Sequence, residues 1–264
     1  MPKARRTAVL AASALLLTAA ALLPTAAASK RLPLPFAYEL YTFRGDGDST
    51  IVVATFAVPA GHLEREHRDG TARYRFDVSL VLTDTLLRTV SRTDDSVYVS
   101  ISRTLSGSHL LFTQVGLQAA PSVDTQQRVI MSDATRPGVG QMYSEVFHIP
   151  DYRGRQLMLS DVALAHRGSG AGWERGGTRL ALLPASQLPG STFDIYYEVY
   201  NLPRGRPYLT EIMLEGADDV AQPGSGVALR YEGEAGSGSD GTLHVLRHVD
   251  ASVPRGRYRL TVRV

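Results

Sequence analysis

Between one cluster of glycine and proline and the next, apolar side chains recur at every second position, and downstream of residue 30 they show no long run at the 3.6-residue period of a helix. In "RYRFDVSLVL", Tyr74, Phe76, Val78, Leu80 and Leu82 fall on one side, with Arg73, Arg75, Asp77 and Ser79 on the other. That is the pattern of an antiparallel strand with one face in a core. "GRYRLTVRV" at the C-terminal end repeats it, setting Tyr258, Leu260, Val262 and Val264 against Arg257, Arg259, Thr261 and Arg263. Further strands are expected over 37–43, 50–58, 96–103, 109–119, 143–148, 157–166, 178–184, 207–215, 226–232 and 242–249, separated by turns such as Gly45-Asp46-Gly47-Asp48 and Pro203-Arg204-Gly205-Arg206. This spacing suits sandwiches rather than barrels or βαβ units. The expected fold is all-β: two antiparallel, Ig-like β-sandwich domains.

"TIVVATFAV" is apolar on both faces, so at least one outer face should be covered by the neighbouring domain or a long loop, and the strand predicts contact between domains. The glycine-rich stretch 167–176 within "RGSGAGWERGG" is the expected linker, placing domain one at 32–166 and domain two at 177–264.

The first residues set a basic start (Lys3, Arg5, Arg6) before an apolar run from Ala8 to Leu23 and the small residues Ala26-Ala27-Ala28. This reads as a signal peptide over 1–28, cleaved after Ala28, because the alanine-diluted run falls short of the ~20 residues of a comfortable membrane span. The mature chain is then expected to be extracytoplasmic, with no transmembrane segment. Losing those three cations and no acidic residue turns the formal charge from +2 to −1. The arginines that remain are interspersed with Asp and Glu, which argues against a nucleic-acid partner, since that wants a dense basic stripe. Cysteine is absent, so a core must supply the stability without disulfides.

"LMLSDVALA" (158–166), "LLP" (182–184), "FDIYYEVYNL" (193–202) and the closing "PRGRYRLTVRV" together resemble the β-sandwich portion of secreted bacterial GWxTD domain-containing proteins. The likeness spans roughly residues 140–264, with weaker echoes in "YTFRGDGDSTIVVATFAVP". The eponymous motif is missing, since "GWERG" at Gly172–Gly176 has Glu-Arg-Gly in place of Thr-Asp. The resemblance implies an exported sandwich protein and brings no catalytic residue with it.

Chemistry-bearing motifs are sparse. His62, Glu64, Glu66 and His67 in "GHLEREHRDG" lack both the spacing and the helical face of an H-E-x-x-H zinc site, and read as a solvated loop or strand edge. His244 and His248 would stand ~13 Å apart on one strand face at ~3.3 Å per residue, too far to share an ion. "GSGSDG" (236–241) has the G-x-G-x-x-G spacing but precedes a strand rather than a helix, so it reads as a hairpin loop. In "RGDGD", Asp46 and Asp48 have calcium-loop spacing and Arg44-Gly45-Asp46 an adhesion tripeptide, but a tight Asp-Gly turn explains both. There is no G-x-S-x-G elbow. No cofactor, metal or catalytic residue is assigned.

Three residues stand out as possible contacts with a partner or a sugar: Trp173, the only tryptophan, and Tyr196 and Tyr200 in "FDIYYEVYNL". Alternation puts Phe193, Ile195, Tyr197 and Val199 on a core face, and Asp194, Tyr196, Glu198 and Tyr200 on an amphipathic face that meets water, cross-strand arginines or the first domain. The expectation is an exported, non-catalytic protein working through protein contacts, in a cell-envelope assembly. The alternatives are a carbohydrate-binding module built on Trp173 and the tyrosines, and, behind it, a hydrolase.

Overall fold

The computed structural model describes residues 33–102, 105–167, 172–185, 192–216, 227–234, 241–250, 253 and 256–264. The expected leader therefore lies outside the described residues, as do 168–171 of the glycine cluster and 236–240 of "GSGSDG". In chain order the strands are β1 (Ala37–Arg44), β2 (Thr50–Pro59), β3 (Arg65–Arg68), β4 (Thr71–Thr83), β5 (Thr89–Ile101), β6 (Leu110–Ala119), β7 (Ser122–Asp133), β8 (Gly140–Ile149), β9 (Met158–Leu159), β10 (Ala163–Arg167), β11 (Trp173–Arg175), β12 (Thr178–Leu183), β13 (Thr192–Tyr200), β14 (Pro207–Gly216), β15 (Val227–Glu234), β16 (Thr242–Asp250) and β17 (Tyr258–Arg263). Ala60–His62 is a single 3-10 turn. The fold is all-β and sandwich-like, as the alternation requires.

The strands form four antiparallel sheets. In sheet I, β3, β5 and β7 pair with β4, and β8 pairs with β7. Sheet II runs β1-β2-β6, sheet III runs β11-β12-β10-β13-β16 with β9 beside β13, and sheet IV runs β15-β14-β17. Three apolar cores lie between them. Phe76, Val78, Leu80, Leu82 and Met131 of sheet I meet Val52, Ala54, Phe56 and Val58 of sheet II. Val53, Tyr41 and Phe43 on the opposite face of sheet II meet Ala163, Ala165, Leu182 and Tyr196 of sheet III. Phe193, Ile195, Tyr197 and Val199 on the far face of sheet III meet Ile212 and Leu214 of sheet IV. The order of layers is thus I, II, III, IV, two sandwiches sharing an interface between their inner sheets. Arg31–Val264 is one compact unit.

This stacking accounts for "TIVVATFAV": Val52 and Val53 point to opposite cores, and both are fully buried. Burying one such side chain contributes ~1.5–3 kcal/mol, so a strand with two apolar faces is stable only as a middle layer. The division between the sandwiches does not follow the glycine cluster. Val199 pairs with Leu159 and Tyr196 with Ala163, so the chain has entered sheet III by β9, inside the stretch expected to close domain one. Within the cluster itself, Trp173, Glu174 and Arg175 form a strand paired with β12 rather than a linker.

Candidate functional site

The second face of β13 is not wet. Asp194, Tyr196, Glu198 and Tyr200 are all buried, with Glu198 and Tyr200 both 0% exposed, because this face lies under β1 of sheet II. Tyr196 and Tyr200 accordingly form no solvent-facing platform. Of the options the sequence leaves open for these tyrosines, the structure places them against the first sandwich.

Burying a carboxylate without partners would cost several kcal/mol, and Glu198 is surrounded by partners. Arg175 grips it with both prongs, Nε to Oε1 at 2.7 Å and Nη2 to Oε2 at 3.0 Å. The Tyr196 hydroxyl donates to Oε1 at 2.6 Å and the Tyr200 hydroxyl to Oε2 at 2.8 Å. His244, directly opposite Glu198 in the register of β13 and β16, brings Nδ1 to 3.2 Å from Oε1 and 2.9 Å from the Tyr196 hydroxyl. Four pairs away in the same register, His248 Nδ1 meets Asp194 at 3.0 Å, so both acids on this face of β13 have a histidine opposite them. The two β16 histidines serve two carboxylates, each in its own pair.

Local sequence places Arg175. Gly176 and Gly177 have φ of +55° and +73° between the paired residues Arg175 and Thr178, so β11 and β12 are joined by a two-residue hairpin whose central positions both need positive φ. Gly176 is also pressed against His244: a Cβ there would lie 2.5 Å from the imidazole Cγ. At the other end of β13, Asn201, the sole asparagine, takes φ of +62° and donates its amide to the carbonyls of Gly154 and Gln156, at 3.2 and 2.7 Å. A non-glycine residue is most easily accommodated in this region when it is Asn or Asp.

The cluster also closes an open strand edge. β1 is the edge of sheet II, so every second residue points its N–H and C=O away from β2. At Thr42 these groups bond to Asp161: the Thr42 N–H donates to Oδ2 at 2.7 Å, and the Asp161 N–H donates to the Thr42 carbonyl at 3.2 Å. At Arg44 the N–H donates to the Tyr200 hydroxyl at 2.7 Å, and the carbonyl accepts from Arg175 Nη2. Tyr200 and Arg175 are two of the four side chains bonded to Glu198. Glu198 thus anchors one acceptor and one donor that pair with Arg44 as a neighbouring strand would, joining the edge of sheet II to the face of sheet III.

Desolvation by burial pushes the Glu198 carboxyl up, but hydrogen bonds from His244, Arg175 and Tyr196 and the charge of Arg175 outweigh it and bring the pKa to about 2. Burial first, and then the adjacent carboxylate, raise the Tyr196 and Tyr200 phenols. The hydrogen bond to Glu198 raises Arg175 further. A carboxylate held ionised and saturated with donors, between phenols held neutral, is poorly suited to pass protons near neutral pH.

Trp173 sits apart from Glu198, on the same small strand as Arg175. Its ring lies 4.5 Å from Phe43 and edge-on to Tyr196 at 5.4 Å, so one side is committed to the core between sheets II and III. Elsewhere it lines a groove of about 620 Å³ bounded by Asp95–Val99 of β5 and Phe112–Gly116 of β6, with the exposed Tyr98 also in the lining. A second cavity, about 460 Å³, has Glu39 and Asp161 in one lining; burial raises the Glu39 carboxyl, while Asp161 is engaged by the Thr42 N–H and hydroxyl. Among the described residues no three His, Asp or Glu side chains are grouped as a metal would require, and no helix is long and apolar enough to cross a membrane. His62 turns Nδ1 toward the Pro35 carbonyl at 3.3 Å, and Glu64 approaches Arg136 at 3.8 Å.

Fold and site together define an all-β protein of two sandwiches joined through a buried Glu-Arg-Tyr-His cluster. No protein-family model matches the chain, and no curated protein matches it.

Proposed function

We propose that the chain is an exported, non-catalytic β-sandwich protein that works through protein contacts, in a cell-envelope assembly. The observation that carries this reading is the apolar surface of sheet I. Leu86, Val90 and Tyr98 on and beside β5, and Met142 and Val146 on β8, are each at least half exposed, reaching 77% at Val146. Both strands are edges of their sheet among the described residues. Apolar side chains gathered on sheet edges favour association with another chain. The saturated state of Glu198 agrees with a structural rather than a reactive centre. The resemblance of "LMLSDVALA" and "YYEVYNL" to the sandwich portion of GWxTD domain-containing proteins supports an exported role. The test is cross-linking in the native envelope of the wild-type chain and of Val90→Glu/Val146→Glu. A specific cross-linked partner that disappears in the double variant is expected. Turnover of a substrate with no partner would overturn the reading.

The Trp173 groove favours a second reading, carbohydrate binding, because a half-buried indole lining a groove that the exposed Tyr98 also borders offers a stacking surface for a sugar ring. With a single tryptophan in the chain, intrinsic fluorescence reports on this groove alone. Quenching or a blue shift on titration with an array-selected glycan, lost in Trp173→Ala together with binding, would establish it; a blank glycan array removes it.

A further inference from the structure

Beside the Glu198 cluster a cavity of about 260 Å³ lies between the β1–β2 turn, the β11–β12 hairpin and the start of β16, with Arg44, Arg175 and His244 in its wall. The three basic side chains are not equivalent. Arg175 is neutralised by Glu198. Arg44 has no carboxylate partner among the described residues: its Nη2 reaches only the Asn201 amide oxygen at 3.3 Å, and its guanidinium stacks over the Tyr200 ring at 4.2 Å. Its Nε is buried and has no hydrogen-bond partner. Nε is sealed from solvent, so the part of the guanidinium that an incoming acceptor can reach is the Nη1–Nη2 edge, on which, among the described residues, only Nη2 has a partner, the long bond to Asn201. His244 commits Nδ1 to Glu198 and Tyr196, which leaves Nε2 without a partner among the described residues. The one carboxylate in the wall, Asp46, is exposed, and Gln118 reaches it at 3.5 Å from the other side.

We propose that this cavity binds one carboxylate or similarly small oxyanion, with the Arg44 guanidinium as its principal partner and His244 Nε2 as a second polar contact. A planar guanidinium fixed by stacking has already lost the rotamer freedom that binding would cost, and its fork matches the two oxygens of a carboxylate. The cavity has room for a compact anion and not for a nucleotide. This inference stands apart from the contact role: an envelope protein without this site, or this site in a protein with another role, are both possible outcomes of separate experiments.

The test is calorimetric titration of the purified chain with acetate, with sulfate and with the neutral-ended peptide Ac-Gly-Glu-Gly-NH2, at constant ionic strength balanced with chloride. Saturable binding of at least one probe is expected, weakened tenfold or more in Arg44→Gln and weakened also in Arg44→Lys, which keeps the charge and loses the fork. Tighter binding of the peptide than of acetate assigns the anion to a partner's side chain; the reverse assigns it to a free metabolite-sized anion. Absence of saturable heat from all three probes, or undiminished affinity in Arg44→Gln, overturns the proposal. Should Arg44→Gln fail to fold, the Arg44 guanidinium Nη–H resonances of the wild-type chain, read at low temperature, decide: a saturable shift with the probe and not with chloride supports the site, and unmoved resonances overturn it.

Discussion

Replacing Arg175 by methionine keeps the apolar stem of the side chain and removes its guanidinium and charge, leaving Glu198 buried opposite two phenols and an imidazole. Two charge-assisted hydrogen bonds to Glu198 are lost, together with the donor that closes the Arg44 carbonyl. Removing one partner of a buried pair costs ~3–5 kcal/mol. Arg175 is 22% exposed and borders a cavity, so water can reach part of the vacated space and the lower end of that range applies, about 3 kcal/mol. The net preference for the ionised Glu198 carboxyl, its pKa lowered to about 2, is shared among His244, Arg175 and Tyr196, so Arg175→Met removes part of it. For a unit of this size that is a fall in Tm of roughly 6–12 °C. Urea unfolding of wild type, Arg175→Met, Glu198→Gln and the double variant measures it as a cycle, in which the double variant should cost at least ~1.5 kcal/mol less than the sum of the singles. If Arg175→Met unfolds within about 1 kcal/mol of wild type and the two changes add, the ion pair does not join the sandwiches and the reasoning fails.

Gly176→Ala combines a positive φ with a Cβ 2.5 Å from the His244 ring, and should destabilise by ~2 kcal/mol or more, with a shifted His244 ring spectrum by NMR. Asn201→Ala removes two hydrogen bonds and puts a residue less suited to φ of +62° there; a loss of ~1–3 kcal/mol is expected by thermal melting. Glu39 is the opposite case to Glu198. Burial raises its pKa, so the folded chain binds its proton more tightly than the unfolded chain, and its charge opposes folding above the folded pKa, an opposition relieved as pH falls toward 4.5. Glu39→Gln should therefore melt above wild type at pH 7, with the gap closing near pH 4; a lower melt at pH 7 contradicts this.

The alternation of "RYRFDVSLVL" was legible, and Tyr74, Phe76, Val78, Leu80 and Leu82 are all core, because one apolar face against one polar face admits no other register. β7 was not legible: Thr125 and Gln127 point inward at 5% and 4% exposure, which breaks the apolar rhythm, and Gln127 is accommodated by a bond from its amide to the Tyr38 hydroxyl at 3.2 Å. In β13, charged Asp194 and Glu198 mimic a wet face, and only the flanking aromatics hint that the face is too apolar for water. What makes its burial under β1 tolerable is Arg175, on a hairpin 23 residues upstream, and His244, 46 residues downstream, a convergence that no local spacing encodes. The "GG" after Arg175 was the readable signal, since two glycines between strand-like residues mark a tight hairpin. Trp173 reads as a linker residue for the same reason that β11 is hard to see: three residues are too few to show a period.

The central claim is that Glu198 is a fixed, ionised anchor between two sandwiches and not an acid or base waiting for a substrate. Its own titration tests this most directly, by following the side-chain carboxyl carbon of Glu198 by NMR as pH is lowered from 8. The account predicts an ionised carboxylate throughout the neutral and mildly acidic range and a midpoint of about 2, with the stability it confers fully present above pH 4.5 and lost as pH falls from there through that midpoint. A midpoint at or above 4.5 would contradict it.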